Sequence, residues 1–195
     1  LRESVNGFKT LGNDLVGVEI GVCKGESALG MLQNLPIKML YLVDPYVEYE
    51  EYNITEISGC PNMDENEASA KELLKDYEGR ITWIRKKSND AVNDIPNDLD
   101  FVYIDGNHAG GYVKMDIENY YPKVKDGGIL AGHDFQKIEI RDSVLEFNKG
   151  RNHDLYSFPF EKANHIHDWD EEWRLYRVPS GRISIDQEDW WLIKK

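Results

Sequence analysis

Cysteine is nearly absent: two residues, Cys23 and Cys60, in a chain of 195. Two cysteines cannot make a disulfide framework, and the expectation is that both stay reduced in a cytoplasmic setting. Cys23 lies in a turn with no base nearby in sequence, which gives it no nucleophile's surroundings. Long apolar runs are absent too. Nothing approaches the 18 or so residues of a membrane span, and the opening LRESVNGFK has no signal-peptide core, although the chain starts without Met as a trimmed one would. The expectation is a soluble protein with no membrane partner. Positive charge is scarce: 23 Lys and Arg against 36 Asp and Glu, a formal charge of −13. A nucleic-acid substrate needs a basic face to neutralise phosphates, and none is visible, so nucleic acid is excluded as a partner. Residues 46–78 alone hold ten acidic and two basic side chains and read as a solvated surface or lid.

Set against these absences is one dense stretch, Val18-Glu19-Ile20-Gly21-Val22-Cys23-Lys24-Gly25-Glu26-Ser27. It reads as an apolar strand, a glycine turn and a helix beginning at Ser27, with Gly21 and Gly25 letting the backbone turn and approach a ligand. The next apolar run, Met39 to Val43, has the continuous character of a parallel strand buried on both faces, and it ends in Asp44. A carboxylate there can accept both hydroxyls of a ribose. A pyrophosphate cofactor would ask for GxGxxG, but the matching positions here are Gly21, Cys23 and Glu26. Two of the three glycines are missing, and Glu26 would set a negative charge beside the phosphates.

The pattern Glu19-x-Gly21-x-x-x-Gly25 instead resembles the first motif of class I S-adenosylmethionine-dependent methyltransferases. Their cofactor has no phosphates, and its cationic amino group and sulfonium use nearby carboxylates such as Glu19. A second cluster follows. Leu99 to Ile104 is another buried-type strand ending in Asp105-Gly106-Asn107-His108, and Lys125-Asp126-Gly127-Gly128 turns into Ile129-Leu130-Ala131-Gly132-His133-Asp134-Phe135. In an open parallel sheet the carboxyl ends of strands form the ligand crevice, so Asp105, His108, His133 and Asp134 are expected to converge there.

From Leu15 to Phe147 the chain resembles the bacterial small-molecule and sugar O-methyltransferases, on VEIGVCKGES, YLVDPY, FVYIDGNH, the spaced Val113, Asp116 and Tyr120, and KDGGILAGHDF. The resemblance implies S-adenosylmethionine bound by Glu19, Gly21, Gly25, Ser27, Asp44 and Asp105, with Ser88 and Asn89 as adenine contacts. A helix cap at Ser88 or Asp90 explains that turn equally well. In the macrocin and mycinamicin sugar O-methyltransferases, more distant in likeness, the divalent-cation ligands match Asp105, His133 and Asp134, and the general base matches His108. An imidazole at His133, where those relatives have a carboxylate, makes Mn²⁺ or Fe²⁺ plausible beside Mg²⁺. The bland alternative is that His133 and Asp134 orient a loop and His108 closes a helix end.

Alternating strands and helices imply an α/β Rossmann-like, doubly wound sheet, mostly parallel, with helices on both faces. Asp154 to Phe160 and Asp189 to Ile193 read as late strands, the antiparallel pair of the resembling family. Asp64 is a candidate cap for the helix running to Tyr77. The whole of 1–195 reads as one domain, with 46–66 and 161–183 as insertions forming an acceptor lid. The second insertion holds His165, His167, Asp168 and Trp173, read as a loop or acceptor wall more than as a metal site. The expectation is a metal-assisted O-methyltransferase for a small hydroxylated metabolite or sugar, with His108 taking the proton and Asp105 beside it. A homo-oligomer is compatible with the sequence. The rivals are a metal-dependent hydrolase built on the same His and Asp residues, and a non-catalytic cofactor-binding protein of the same fold.

Overall fold

The computed structural model describes residues 8, 11–47, 62–108, 111–135, 137–151, 153–157, 161–162 and 189–195. The expected insertions at 46–66 and 161–183 fall mostly outside these residues, as do His165, His167, Asp168 and Trp173. Among the described residues no helix is long and apolar enough to cross a membrane.

The strands are β1 (Leu15–Ile20), β2 (Ile37–Val43), β3 (Ile81–Ile84), β4 (Leu99–Ile104), β5 (Val124–Gly132), β6 (Leu155–Ser157), β7 (Glu161–Lys162) and β8 (Trp190–Ile193). They form one sheet in the order β3-β2-β1-β4-β5-β8-β6-β7. The first five pair in parallel. β8 then inserts antiparallel between β5 and β6, and the short β7 adds an antiparallel edge on β6 that the sequence did not announce.

The helices are α1 (Glu26–Asn34), α2 (Met63–Leu74), α3 (Ser88–Ala91), α4 (Tyr112–Tyr120) and α5 (Ile138–Asn148). α1 opens one residue before the expected Ser27. α2 opens after Asn62, with Asp64 inside its first turn rather than capping it. A 3-10 turn over Lys75–Arg80 replaces the helical continuation to Tyr77. Strand alternation sorts the core into two layers. Val18, Ile20, Val102 and Ile104 pack with α3, α4 and α5. Leu15, Leu40, Phe101 and Tyr103 pack with α1 and α2 on the other face. Both faces are covered, which is why these strands are mainly apolar instead of alternating with polar residues.

Two polar devices tie the central strands. Asp100 Oδ2 accepts the Val16 N–H at 2.8 Å, while Oδ1 meets Lys125 Nζ at 2.5 Å. One carboxylate therefore joins the start of β1 to β5 across β4. At Gly17 the sheet needs the opposite, an empty space. A Cβ there would lie 2.2–2.4 Å from three atoms of the Phe101 ring, and Phe101 is itself stacked on Phe8 at 4.8 Å between centroids. The ring lies where the side chain of its cross-strand neighbour would be. Gly17→Ala is therefore expected to lower the stability by about 1–3 kcal/mol through overpacking. Pairing it with Phe101→Leu should recover part of the loss. Urea unfolding measures both, and an unchanged midpoint for the single variant would show that the ring has room to move.

Candidate active site

The sheet order reverses between β1 and β4, and the crevice beyond their carboxyl ends is where ligands of such sheets bind. The strand-end backbones continue the ladder beyond the strands. Gly21 N–H donates to Val43 O at 2.9 Å, Asp105 N–H to Ile20 O at 2.8 Å and His133 N–H to Ile104 O at 3.0 Å. Gly21 has φ of 85°, and a Cβ on it would lie 2.2 Å from the Asp105 carbonyl oxygen. Only glycine lets the two turns touch. Gly25, with φ of 79°, then opens α1.

Beside Gly21 lies a cleft walled by Asp44, Pro45, Ser88, Asn107, Tyr112 and Asp116 among others. Of the expected cofactor residues, Gly21, Asp44 and Ser88 line it. Asn89 is exposed and does not. Ser27, in the first turn of α1, and Gly25 are also outside its wall. Glu19 is fully buried below the turn. Its charge helps raise the pKa of the Tyr46 phenol, behind burial itself and the carboxylate of Asp44, with Glu67 adding to them.

Asp44 does more than the sequence showed. Oδ2 accepts the Val22 and Cys23 N–H groups at 2.9 and 3.0 Å, and Oδ1 accepts the Tyr46 N–H at 2.8 Å. Tyr46 in turn donates its hydroxyl to Cys23 O at 3.1 Å. A carboxylate offers about four acceptor positions, so Asp44 keeps one for a ligand and cannot take both hydroxyls of a ribose as expected. Cys23 itself is disulfide-bonded, against the expectation of reduced cysteines. With that goes the ground for a cytoplasmic setting. Two cysteines without a spacing signature had given the sequence nothing to pair.

Asp105, His108, His133 and Asp134 do converge, next to the cleft residues Gly106 and Asn107. His133 Nδ1 lies 3.2 Å from Asp105 Oδ1 and 3.6 Å from Asp134 Oδ1. His108 Nδ1 lies 3.1 Å from Asp134 Oδ2, and its Nε2 is 3.7 Å from Asp105 Oδ1. Asp134 adopts a left-handed backbone, φ 60°, that aims its side chain back into the cluster.

Sequence reasoning missed Lys137, whose ammonium donates to Asp134 Oδ2 and stands 3.0 Å from His108 Nδ1. Burial alone would raise the pKa of Asp134; the Lys137 hydrogen bond, with the charges of His108, His133 and Lys137, holds it below the usual carboxylate range. Lysine three residues after a carboxylate was visible, but the approach to His108 is tertiary.

This lysine decides the test of the divalent cation expected at Asp105, His133 and Asp134. Two unit charges 4 Å apart repel by roughly 4 kcal/mol at the effective dielectric near a protein surface, and a dication doubles that. An ion bound to Asp134 would face the ammonium already bonded to it. Among the described residues no three His, Cys, Asp or Glu side chains are arranged to hold a metal ion. The donor set does not fit the divalent cation expected from the sequence, because Lys137 supplies the positive charge.

The nitrogen His108 Nδ1 has one of two partners at a time. It donates to Asp134, or it accepts from Lys137. In the first arrangement Nε2 carries a bare lone pair, and that atom is buried with no hydrogen-bond partner. The arrangement is that of a general base oriented by a carboxylate.

Comparison with known proteins agrees with this geometry. A family model described as a methyltransferase domain matches residues 18–135. The uncharacterized protein R132 of Acanthamoeba polyphaga mimivirus is 30% identical over 138 residues, covering 68% of this chain and 57% of that protein. The chain thus spans little more than half of that relative's length. Among solved structures, a putative rRNA-methylase from Clostridium thermocellum superposes with a TM-score of 0.65 at 13% identity, covering 98% of this chain and 93% of that one. A putative methyltransferase from Streptococcus mutans in complex with S-adenosylhomocysteine gives 0.61 at 14% identity, with 98% and 96% covered. At such identities the structures speak for the fold, and the family match, which spans more than half of the chain, carries the assignment. The chain belongs to the class I S-adenosylmethionine-dependent methyltransferases.

Proposed function

We propose that this methyltransferase moves the methyl group of S-adenosylmethionine to a hydroxyl of a small molecule, a sugar or another hydroxylated metabolite, as a single domain. The observation that carries it is the buried, unpartnered Nε2 of His108, with Asp134 within hydrogen-bonding distance of Nδ1. An oxygen acceptor must lose a proton as it attacks, and this nitrogen is built to take one. In the transfer the acceptor oxygen forms a bond to the methyl carbon while the carbon–sulfur bond breaks. The sulfur leaves as the neutral thioether of S-adenosylhomocysteine, and the acceptor's proton passes to Nε2.

Asp105 Oδ1, 3.7 Å from that nitrogen, stabilises the imidazolium that results. His133 holds Asp105 from the other side. Lys137 supplies positive charge next to Asp134. The formal charge of −13 favours a small acceptor over nucleic acid and over an anionic membrane surface. A hydrolase built on the same His and Asp residues would leave the cleft at Gly21 without a use.

His108→Ala is expected to bind S-adenosylhomocysteine almost as the wild type does while methyl transfer falls by roughly 10²–10⁴, the usual contribution of a positioned base. Near-normal turnover would assign His108 to structure. Turnover absent in both proteins, across a panel of sugars and phenols and with the cofactor bound, would favour the non-catalytic reading.

Removal of divalent ions is a second measurement. Because Lys137 holds the cation's place, dialysis against a chelator should leave the rate within twofold of untreated enzyme, while Lys137→Ala should lower it. Loss of wild-type activity that Mn²⁺ restores would show that the lysine swings aside for a metal.

A further inference from the structure

The end of β5 is held on both of its faces, and the two residues that follow it, His133 and Asp134, belong to the base cluster. On the face packed with α3, α4 and α5 the contact is Trp190, the first residue of β8, fully buried and paired across the ladder with Gly132. A Cβ on Gly132 would lie 2.7 Å from indole Cζ2 and 2.7 Å from the Ile104 carbonyl oxygen. Gly132 is thus enclosed between the ring and the end of β4. The next residue, His133, donates its N–H to that same carbonyl at 3.0 Å.

The opposite face carries a buried hydrogen bond that steps over β5. Asp189, immediately before β8, accepts the Tyr103 hydroxyl on Oδ1 at 2.9 Å. Tyr103 lies on β4 opposite Ala131 of β5, and Ala131 is in turn opposite Trp191 of β8. The bond therefore joins the strands on either side of β5 without involving β5 itself. Ser157 Oγ, at the end of β6, donates to Asp189 O at 3.2 Å and fixes the same residue from the outer side. Trp190 is a costly residue for this core. Its Nε1 is buried with no hydrogen-bond partner, a loss of stability that phenylalanine would avoid. What the indole adds is its outer ring, to which Cζ2 belongs.

We propose that Trp190, Tyr103 and Asp189 are positioning residues for methyl transfer, a clamp around the end of β5 that sets how far His133 reaches toward Asp105 and Asp134 toward His108. Their effect passes through the backbone of Gly132. The separations they govern, 3.2 Å from His133 to Asp105 and 3.1 Å from His108 to Asp134, lie at the outer limit of a good hydrogen bond. A small displacement of the strand end therefore breaks them, and a base misplaced by about 1 Å lowers a rate by as much as 10²-fold.

The proposal rests on the reading of His108 as the base, and the tests separate the two. Tyr103→Phe removes the hydroxyl and Trp190→Phe the outer ring. Each variant should bind S-adenosylhomocysteine within twofold of wild type by calorimetry, because β4 separates the clamp from β1 and the Gly21 turn. Imidazole ¹⁵N signals report which ring nitrogen carries the proton. In wild type His108 should hold it on Nδ1, and in the variants both tautomers should appear as the Asp134 bond loosens. Methyl transfer to the panel of sugars and phenols should fall roughly 10- to 100-fold in kcat, with KM little changed. A lower melting temperature with the tautomer and kcat unmoved would reduce the clamp to packing and overturn the proposal. Wild type alone supplies a check that needs no variant. Its His133 N–H should exchange with solvent as slowly as the amides within β4, and exchange as fast as a fraying strand end would overturn the proposal. If the tautomers shift in the variants but no protein transfers methyl, the clamp on the cluster stands and the reading of His108 as base falls.

Discussion

Two backbones meet at the centre of this molecule with no side chain between them. The Gly21 turn lies against the Asp105 carbonyl so closely that a single methyl group would collide with it, and everything at the crevice is built outward from that contact. It sets the end of β1 beside the end of β4, the two strands at which the sheet changes direction. The cleft opens beside the contact, and the Asp105, His108, His133 and Asp134 cluster lies at the carboxyl ends of β4 and β5.

The cluster brings two carboxylates, two imidazoles and one ammonium together. Carboxylates that converge repel one another unless positive charge is placed among them. Here the charge comes from Lys137, bonded to Asp134, while two imidazoles lie within hydrogen-bonding reach of the carboxylates. An ammonium is held by a flexible stem and carries one charge instead of two, so it steadies the acidic groups without gripping a substrate oxygen as strongly as a dication would.

Much of this was legible in the chain because the informative residues are local. Strands β1, β2, β4 and β5 are apolar runs ending in glycine or acid, and such runs name both the element and its functional end. The parallel, doubly wound character of the sheet followed from the alternation of strands and helices. What stayed hidden was tertiary. Lys137 meets His108 across 29 positions, and nothing in either neighbourhood signals the other. Asp44 looked like a ribose acceptor because a terminal carboxylate is visible in sequence, while the three backbone N–H groups it binds are not. Asp116 was noticed only as a mark of resemblance. Its burial and its unmatched oxygen Oδ1 emerge once α4 is packed on the sheet. The disulfide at Cys23 and the extra edge strand β7 likewise depend on long-range placement.

The hold of Asp44 on the turn has a consequence for how the cofactor arrives. Because Val22, Cys23 and Tyr46 are already fixed by its two oxygens, the loop that receives the ligand is ordered before anything binds. The entropy of arranging that segment is lost during folding and need not be lost again at association. Binding at this end of the cleft is then close to rigid docking into a preorganised surface, and the conformational adjustment in a catalytic cycle is left to whatever covers the acceptor.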